Sequence, residues 1–178
     1  MARITTMAKK MNVATFTRRA YRKKKDLSKF LRKLGKSKKR SLTAIAHKAD
    51  KEMWEEVDCL ACGNCCKKMT PTYSKKDINR ISSHLGMTYK EFYDKWLETD
   101  DNNDIINRLR PCQFLGKNNK CSIYAIRPTD CAEFPHSNRK DVMYQVREKT
   151  FENNLTYCPA TLIFVEKLKA AVEAAEVL

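Results

Sequence analysis

The stretch Cys59-Leu60-Ala61-Cys62-Gly63-Asn64-Cys65-Cys66 puts four thiols into eight residues. A C-x2-C turn presents two sulfurs to one ion, and thiolates bind soft and borderline metals strongly. The C-x2-C-x2-C-C spacing therefore points to a metal or iron–sulfur site as the organiser of the fold. Cys59, Cys62 and Cys65 match the ferredoxin triplet, but a ferredoxin run sets its next cysteine three residues on, before a proline. Here the fourth is Cys66, directly adjacent, and the Cys-Pro pair comes far downstream at Cys158-Pro159. Gly63 permits a close turn between the second and third sulfurs. In an extended backbone neighbouring side chains point to opposite sides, so Cys65 and Cys66 are expected to serve two metal positions.

Four more cysteines follow: Cys112, Cys121, Cys131 and Cys158. All eight are expected to ligate metal, either as two four-thiolate sites or as one multinuclear cluster with bridging thiolates. The widely spaced second set would staple the C-terminal half to the run. Read blandly, those four are small buried residues. An even count also suggests disulfides, with about 105 connectivities for eight cysteines. However, the N-terminus is charged almost throughout and has no apolar signal core. No window holds about 18 apolar residues, so no transmembrane segment is expected. A cytoplasmic chain with reduced thiols is the expectation.

The net charge of +15 is unevenly placed. Residues 1–48 hold 17 Lys/Arg and one acid (Asp26), whereas residues 49–178 hold 19 Lys/Arg and 20 acids. The chain thus reads as a basic helical arm over 1–48 and a nearly neutral cysteine-cluster domain over 49–178. Such an arm favours phosphate, in nucleic acid, a ribosome or an anionic membrane. A solvated tail is the plainer reading.

The fold class expected is mainly α with short irregular β pieces. Leu27, Phe30, Leu31 and Leu34 form one helical stripe, with Gly35 as its stop. Ser41 is a candidate N-cap for a helix carrying Leu42, Ile45, Ala49 and Met53. Ser74 or Thr72 can cap a helix running through His84, with Gly86 just past its end. Thr88-Tyr89-Lys90-Glu91 matches a capping box, and the helix it opens carries Phe92, Trp96 and Leu97. Asp100 to Asp104 reads as a loop or helix start, and 117–120 as a turn. Residues 143–147 alternate as a strand or short helix would. Leu162, Val165, Leu168 and Val172 form the last stripe. Pro159 suits a first turn and places Cys158 at the N-cap, where a thiolate is favoured.

The order of motifs resembles the YkgJ-type cysteine-cluster family, described as zinc- or iron-chelating. The matching residues are the 59–66 run, Pro111-Cys112-Gln113-Phe114-Leu115, and Cys121 through Tyr124, Arg127, Pro128, Cys131, Phe134 and Pro135. The resemblance covers about residues 57–160 and implies zinc or an iron–sulfur cluster as cofactor. It also carries the label of iron–sulfur oxidoreductase, and flagellin lysine methylases are similar in their cysteine cluster. The basic arm lies outside the family pattern.

Within the second block, Arg127 is a candidate cofactor-binding residue that can neutralise thiolates or hold an anion; a fold-supporting salt bridge is its alternative. Lys67, Lys68, His136 and Tyr157 read better as surface or packing residues. No dinucleotide loop or P-loop can be written with glycines at 35, 63, 86 and 116. An enzyme would need a substrate site built around the metal itself. Two functions compete: a redox-active metal protein, and a zinc-stapled non-enzymatic module whose arm binds a partner.

Overall fold

A computed structural model describes residues 13–178; the first twelve residues of the basic arm lie outside them. The protein is mainly helical, and among the described residues its sheet is one antiparallel pair of short strands. Two compact units form. One takes the described chain up to Cys62 together with Pro135–Leu178, and the other is Gly63–Phe134.

The first unit is a helical assembly around the C-terminal helix. Its elements are α1 (Val13–Gly35), α2 (Ser41–Trp54), α3 (Cys59–Cys62), and after the second unit α8 (Val142–Arg147), α9 (Thr150–Asn154) and α10 (Pro159–Ala174). The α1 stripe behaves as its spacing predicts: Leu27, Phe30, Leu31 and Leu34 are all buried, and the helix ends at Gly35. Full burial of such side chains contributes about 1.5–3 kcal/mol each. Residues α1 and α2 carry pack against α10, whose Pro159–Val165 segment is buried all round. The Phe151 and Phe164 rings lie 4.9 Å apart in this core. Ser41 is the first residue of α2 rather than its cap; Arg40 holds the cap position without a side-chain hydrogen bond. Residues 143–147 are helical, within α8.

The second unit holds α4 (Asn64–Lys68), α5 (Lys75–His84), α6 (Tyr89–Trp96), strands β1 (Leu97–Thr99) and β2 (Ile105–Asn107), a 3-10 turn at Tyr124–Ile126, and α7 (Thr129–Glu133). The expected capping box at Thr88 forms, and Ser74, one of the two expected caps of the preceding helix, makes a second. Ser74 and Asp77 open α5, and Thr88 and Glu91 open α6. Helix α5 closes in a Schellman arrangement: Gly86, at φ +67°, donates to the Ser83 carbonyl and Met87 to that of Ser82. The acidic stretch 100–104 is the turn of the β1–β2 hairpin, where Asp100 Oδ1 accepts from the backbone N–H groups of Asn102 and Asp104. The core of this unit gathers Tyr73, Ile78, Ile81, Phe92, Leu97, Phe114 and Ile123, with Cys112 and Cys121 packed at its edge.

Candidate metal centre

All eight cysteines are free thiols, and all but Cys158 are partly exposed. In the first unit, Cys59 and Cys62 bracket the single turn of α3. Asp58 Oδ1 accepts from the N–H groups of Leu60 and Ala61, which fixes the start of that turn. Cys158 caps α10 as expected: its sulfur accepts from the Thr161 N–H at 3.4 Å. The expected thiolate preference does not follow. Burial outweighs the helix-end hydrogen bonds, and the nearby Cys62 adds to it, so the Cys158 thiol is pushed up to about 11.

In the second unit, Cys65 and Cys66 sit on α4 rather than on extended backbone. Their sulfurs are 3.9 Å apart, so they do not diverge to opposite sides. The helix places consecutive side chains about 100° apart instead of 180°. Gly63 makes this possible. It starts the turn at φ +56°, and a Cβ there would stand 3.1 Å from the Asn119 carbonyl oxygen. The thiol of Cys66 lies far above the ordinary thiol range, first because of its hydrogen bond with Cys65 and then because of burial.

Three further segments bring thiols within electrostatic reach of Cys66. The Cys112 N–H donates to the Cys66 carbonyl at 2.8 Å. Cys121 follows the turn that starts at Gly116 and pairs across a bridge with Leu115. Cys131 stands on α7. Burial raises Cys112, Cys121 and Cys131, and these three with Cys66 lie within electrostatic reach of one another, each disfavouring its neighbours' thiolates. The downstream trio is thus joined by the last cysteine of the run. Among the described residues, no three His, Cys, Asp or Glu side chains converge closely enough to grip an ion. The donor chemistry nonetheless fits a thiophilic metal. Tetrahedral Zn–S bonds of about 2.3 Å set ligand sulfurs roughly 3.8 Å apart, close to the Cys65–Cys66 separation.

Residues 58–159 match the family model CxxCxxCC, whose description is "Putative zinc- or iron-chelating domain". The chain belongs to the CxxCxxCC family. The matched span takes in all eight cysteines. An uncharacterized protein of Methanocaldococcus jannaschii is 34% identical over 84 residues, 44% of each chain. The chain therefore spans less than half the length of that curated relative. No solved structure matches.

Around the CxxCxxCC thiols stands a polar shell that the spacing of cysteines does not announce. Tyr73 is buried; its hydroxyl donates to Asn107 Oδ1 at 2.7 Å, and Gln113 Nε2 donates to the same oxygen at 3.0 Å. Burial, then Cys112, Cys131 and Cys121, holds Tyr73 neutral far above its usual range. Burial pushes the Cys112 thiol up, and the nearby Asn107 side chain works against it; the buried Asn107 Nδ2 itself makes no hydrogen bond among the described residues. Asp77, only 3% exposed, accepts from Ser74 and from both the N–H and hydroxyl of Thr129. Burial alone would raise its carboxyl; the hydrogen bonds from Ser74 and Thr129 outweigh it and bring the pKa down to about 2. Thr129 is the first residue of α7, so Asp77 anchors the helix that carries Cys131. Arg80 donates to the Ile126 and Arg127 carbonyls and pairs with Asp77 at 2.6 Å.

Arg127 lies over the Tyr124 ring, 3.9 Å from its centroid, and donates to the Tyr124 carbonyl at 2.6 Å. Its charge also acts on Cys121, easing the thiolate there. Lys67 acts in the same sense on Cys66. The Ser74-x-x-Asp77 spacing was the one sequence signal for this shell, and it marked only the helix cap. Nothing local marks the reach of Asp77 to Thr129.

Proposed function

We propose that the protein is a thiolate metal-binding protein holding zinc or an iron–sulfur cluster. Cys66, Cys112, Cys121 and Cys131 hold one metal position in the Gly63–Phe134 unit, with Cys65 beside them, and Cys59, Cys62 and Cys158 are the metal thiolates of the other unit. The observation that carries this reading is the gathering of four thiols, from four separate segments, within electrostatic reach of one another. Four half-buried thiols that raise one another's pKa are unfavourable as thiolates until a cation is among them. Membership of a zinc- or iron-chelating family supports the same reading. Bound zinc would supply a structural cross-link, and a bound iron–sulfur cluster a one-electron redox centre.

The chain's own residues support such a centre. Arg127 offsets thiolate charge at Cys121, Asn107 favours the Cys112 thiolate, and Asp77 holds the Cys131 helix in place. Free thiols throughout suit a reducing compartment, and we place the protein in the cytoplasm. Among the described residues no helix is long and apolar enough to cross a membrane.

Anaerobic purification followed by zinc, iron and acid-labile sulfide analysis tests this. Iron with sulfide and visible charge-transfer absorption supports the redox form. Zinc without iron or sulfide supports the structural form and ends the redox reading. Protein free of either metal after reconstitution, with unchanged stability, would overturn the proposal.

A further inference from the structure

The face of α1 opposite its buried stripe, continued by Lys36 in the turn just after the helix, carries a row of cations with no acidic partner. Arg18, Arg22, Lys25, Lys29, Lys33 and Lys36 follow one another at three- or four-residue steps, and all six are exposed. At 1.5 Å per residue the row is about 27 Å long. Three other cations of the helix are paired: Arg19 and Lys23 with Glu166, and Arg32 with Glu152. None of the six in the row forms an ion pair among the described residues. Beside them Tyr21 is 65% exposed. It lines a surface groove with Lys24, Lys25, Lys29, Lys33 and Lys36, and the one acid in that lining, Glu152, is neutralised by Arg32.

We infer that this face binds single-stranded nucleic acid through its phosphate backbone, with one base stacked on Tyr21. The reading is independent of the metal centre. A row of like charges held on a rigid helix repels itself unless a polyanion lies along it. A membrane surface is the poorer fit, because an interfacial helix must offer its apolar face to lipid. The apolar face of α1 is already buried, through Phe16, Ala20, Leu27, Phe30, Leu31 and Leu34. An exposed aromatic among cations is what a single strand uses, since every base has a face to stack and the backbone needs only positive charge. The cations make no base-edge pattern, so binding is sequence-tolerant.

The test uses the full chain and fluorescent dT20 and U20, titrated across a salt series. Six phosphate contacts predict a log–log salt slope of about −4 for a single strand. The triple variant Arg22→Gln, Lys25→Gln, Lys29→Gln should reduce that slope to about −2 and weaken binding roughly 100-fold at 0.1 M salt. A matched triple variant elsewhere, Lys75→Gln, Lys76→Gln, Lys140→Gln, should change affinity less than threefold, with circular dichroism confirming both folds. Tyr21→Ala should cost about tenfold on single strands. Failure of the chain to bind, or equal losses from both triple variants, overturns the proposal. So does a Tyr21→Ala protein that binds as wild type, a duplex that competes as well as dT20, or capture by anionic phosphatidylserine vesicles without any by oligonucleotide.

Discussion

Thr129 gives both its backbone N–H, at 3.1 Å, and its hydroxyl, at 2.9 Å, to Oδ1 of Asp77, which lies 52 positions earlier in the chain. One carboxylate thereby closes the N-terminus of α5 and fastens the first turn of α7. Asp77→Ala removes four hydrogen bonds and the Arg80 ion pair from a buried site. Loss of such a network costs about 2–4 kcal/mol. Urea unfolding should register that loss, and metal content should fall with it because Cys131 loses its anchor. Full metal loading and an unchanged midpoint would refute the positioning role.

The same carboxylate gives stability a pH dependence. Its folded pKa, about 2, lies below the ordinary value of 3.8. The stabilisation is therefore complete above about pH 4 and is lost as pH falls through 2, amounting to about 2 kcal/mol. Urea midpoints measured between pH 5 and pH 2 should fall in the wild type. In Asp77→Asn the fall should be shallower by that amount, and parallel curves would count against the assignment.

Gly63 and Gly86 both occupy the left-handed region, at φ +56° and +67°, yet they differ in what surrounds them. Nothing lies within 4 Å of a Cβ built at Gly86, whereas one at Gly63 meets the Asn119 carbonyl at 3.1 Å. Gly86→Ala should cost about 1 kcal/mol, the backbone penalty alone. Gly63→Ala should cost clearly more, up to about 3 kcal/mol, and should weaken metal binding as well. Equal costs would mean that the close packing at Gly63 is without consequence.

Asn107 accepts from Tyr73 and Gln113 and eases the neighbouring Cys112 thiolate. A residue that orients a metal-binding group typically contributes 10- to 100-fold to affinity. Competition with a chromogenic chelator should reveal a loss of that size in Asn107→Ala. Cys112→Ser and Cys131→Ser should lose the metal of their unit outright, while Ser122→Ala, at the exposed residue after Cys121, should leave stoichiometry unchanged.

Much of this was readable in advance because it is local. The Ser74 and Thr88 caps, the Gly86 stop, the Pro159 first turn and the apolar stripes of α1 and α10 all depend on neighbours within four residues. Three-residue strands carry too little pattern to be seen. The β1–β2 hairpin exists because Asp100 organises its turn and the Tyr73 N–H donates to the Ile105 carbonyl at 2.8 Å. Cys65-Cys66 is helical rather than extended, a difference two residues cannot declare. Cys158 was placed correctly at its cap but wrongly in its acidity, since the burial that decides its pKa comes from distant segments. The cysteines stand out in the sequence as candidate metal ligands; Asp77, Asn107 and Tyr73, which surround the thiols of the second unit, do not.

The buried stripe of α1 also governs how the protein can be dissected. Charge and core share one helix, so a shortened chain beginning after Lys48 would leave α10 with a wet hydrophobic flank. Such a fragment should aggregate, and its failure to bind anything would be uninformative. The basic stretch has to be interrogated one side chain at a time, with its backbone left in place.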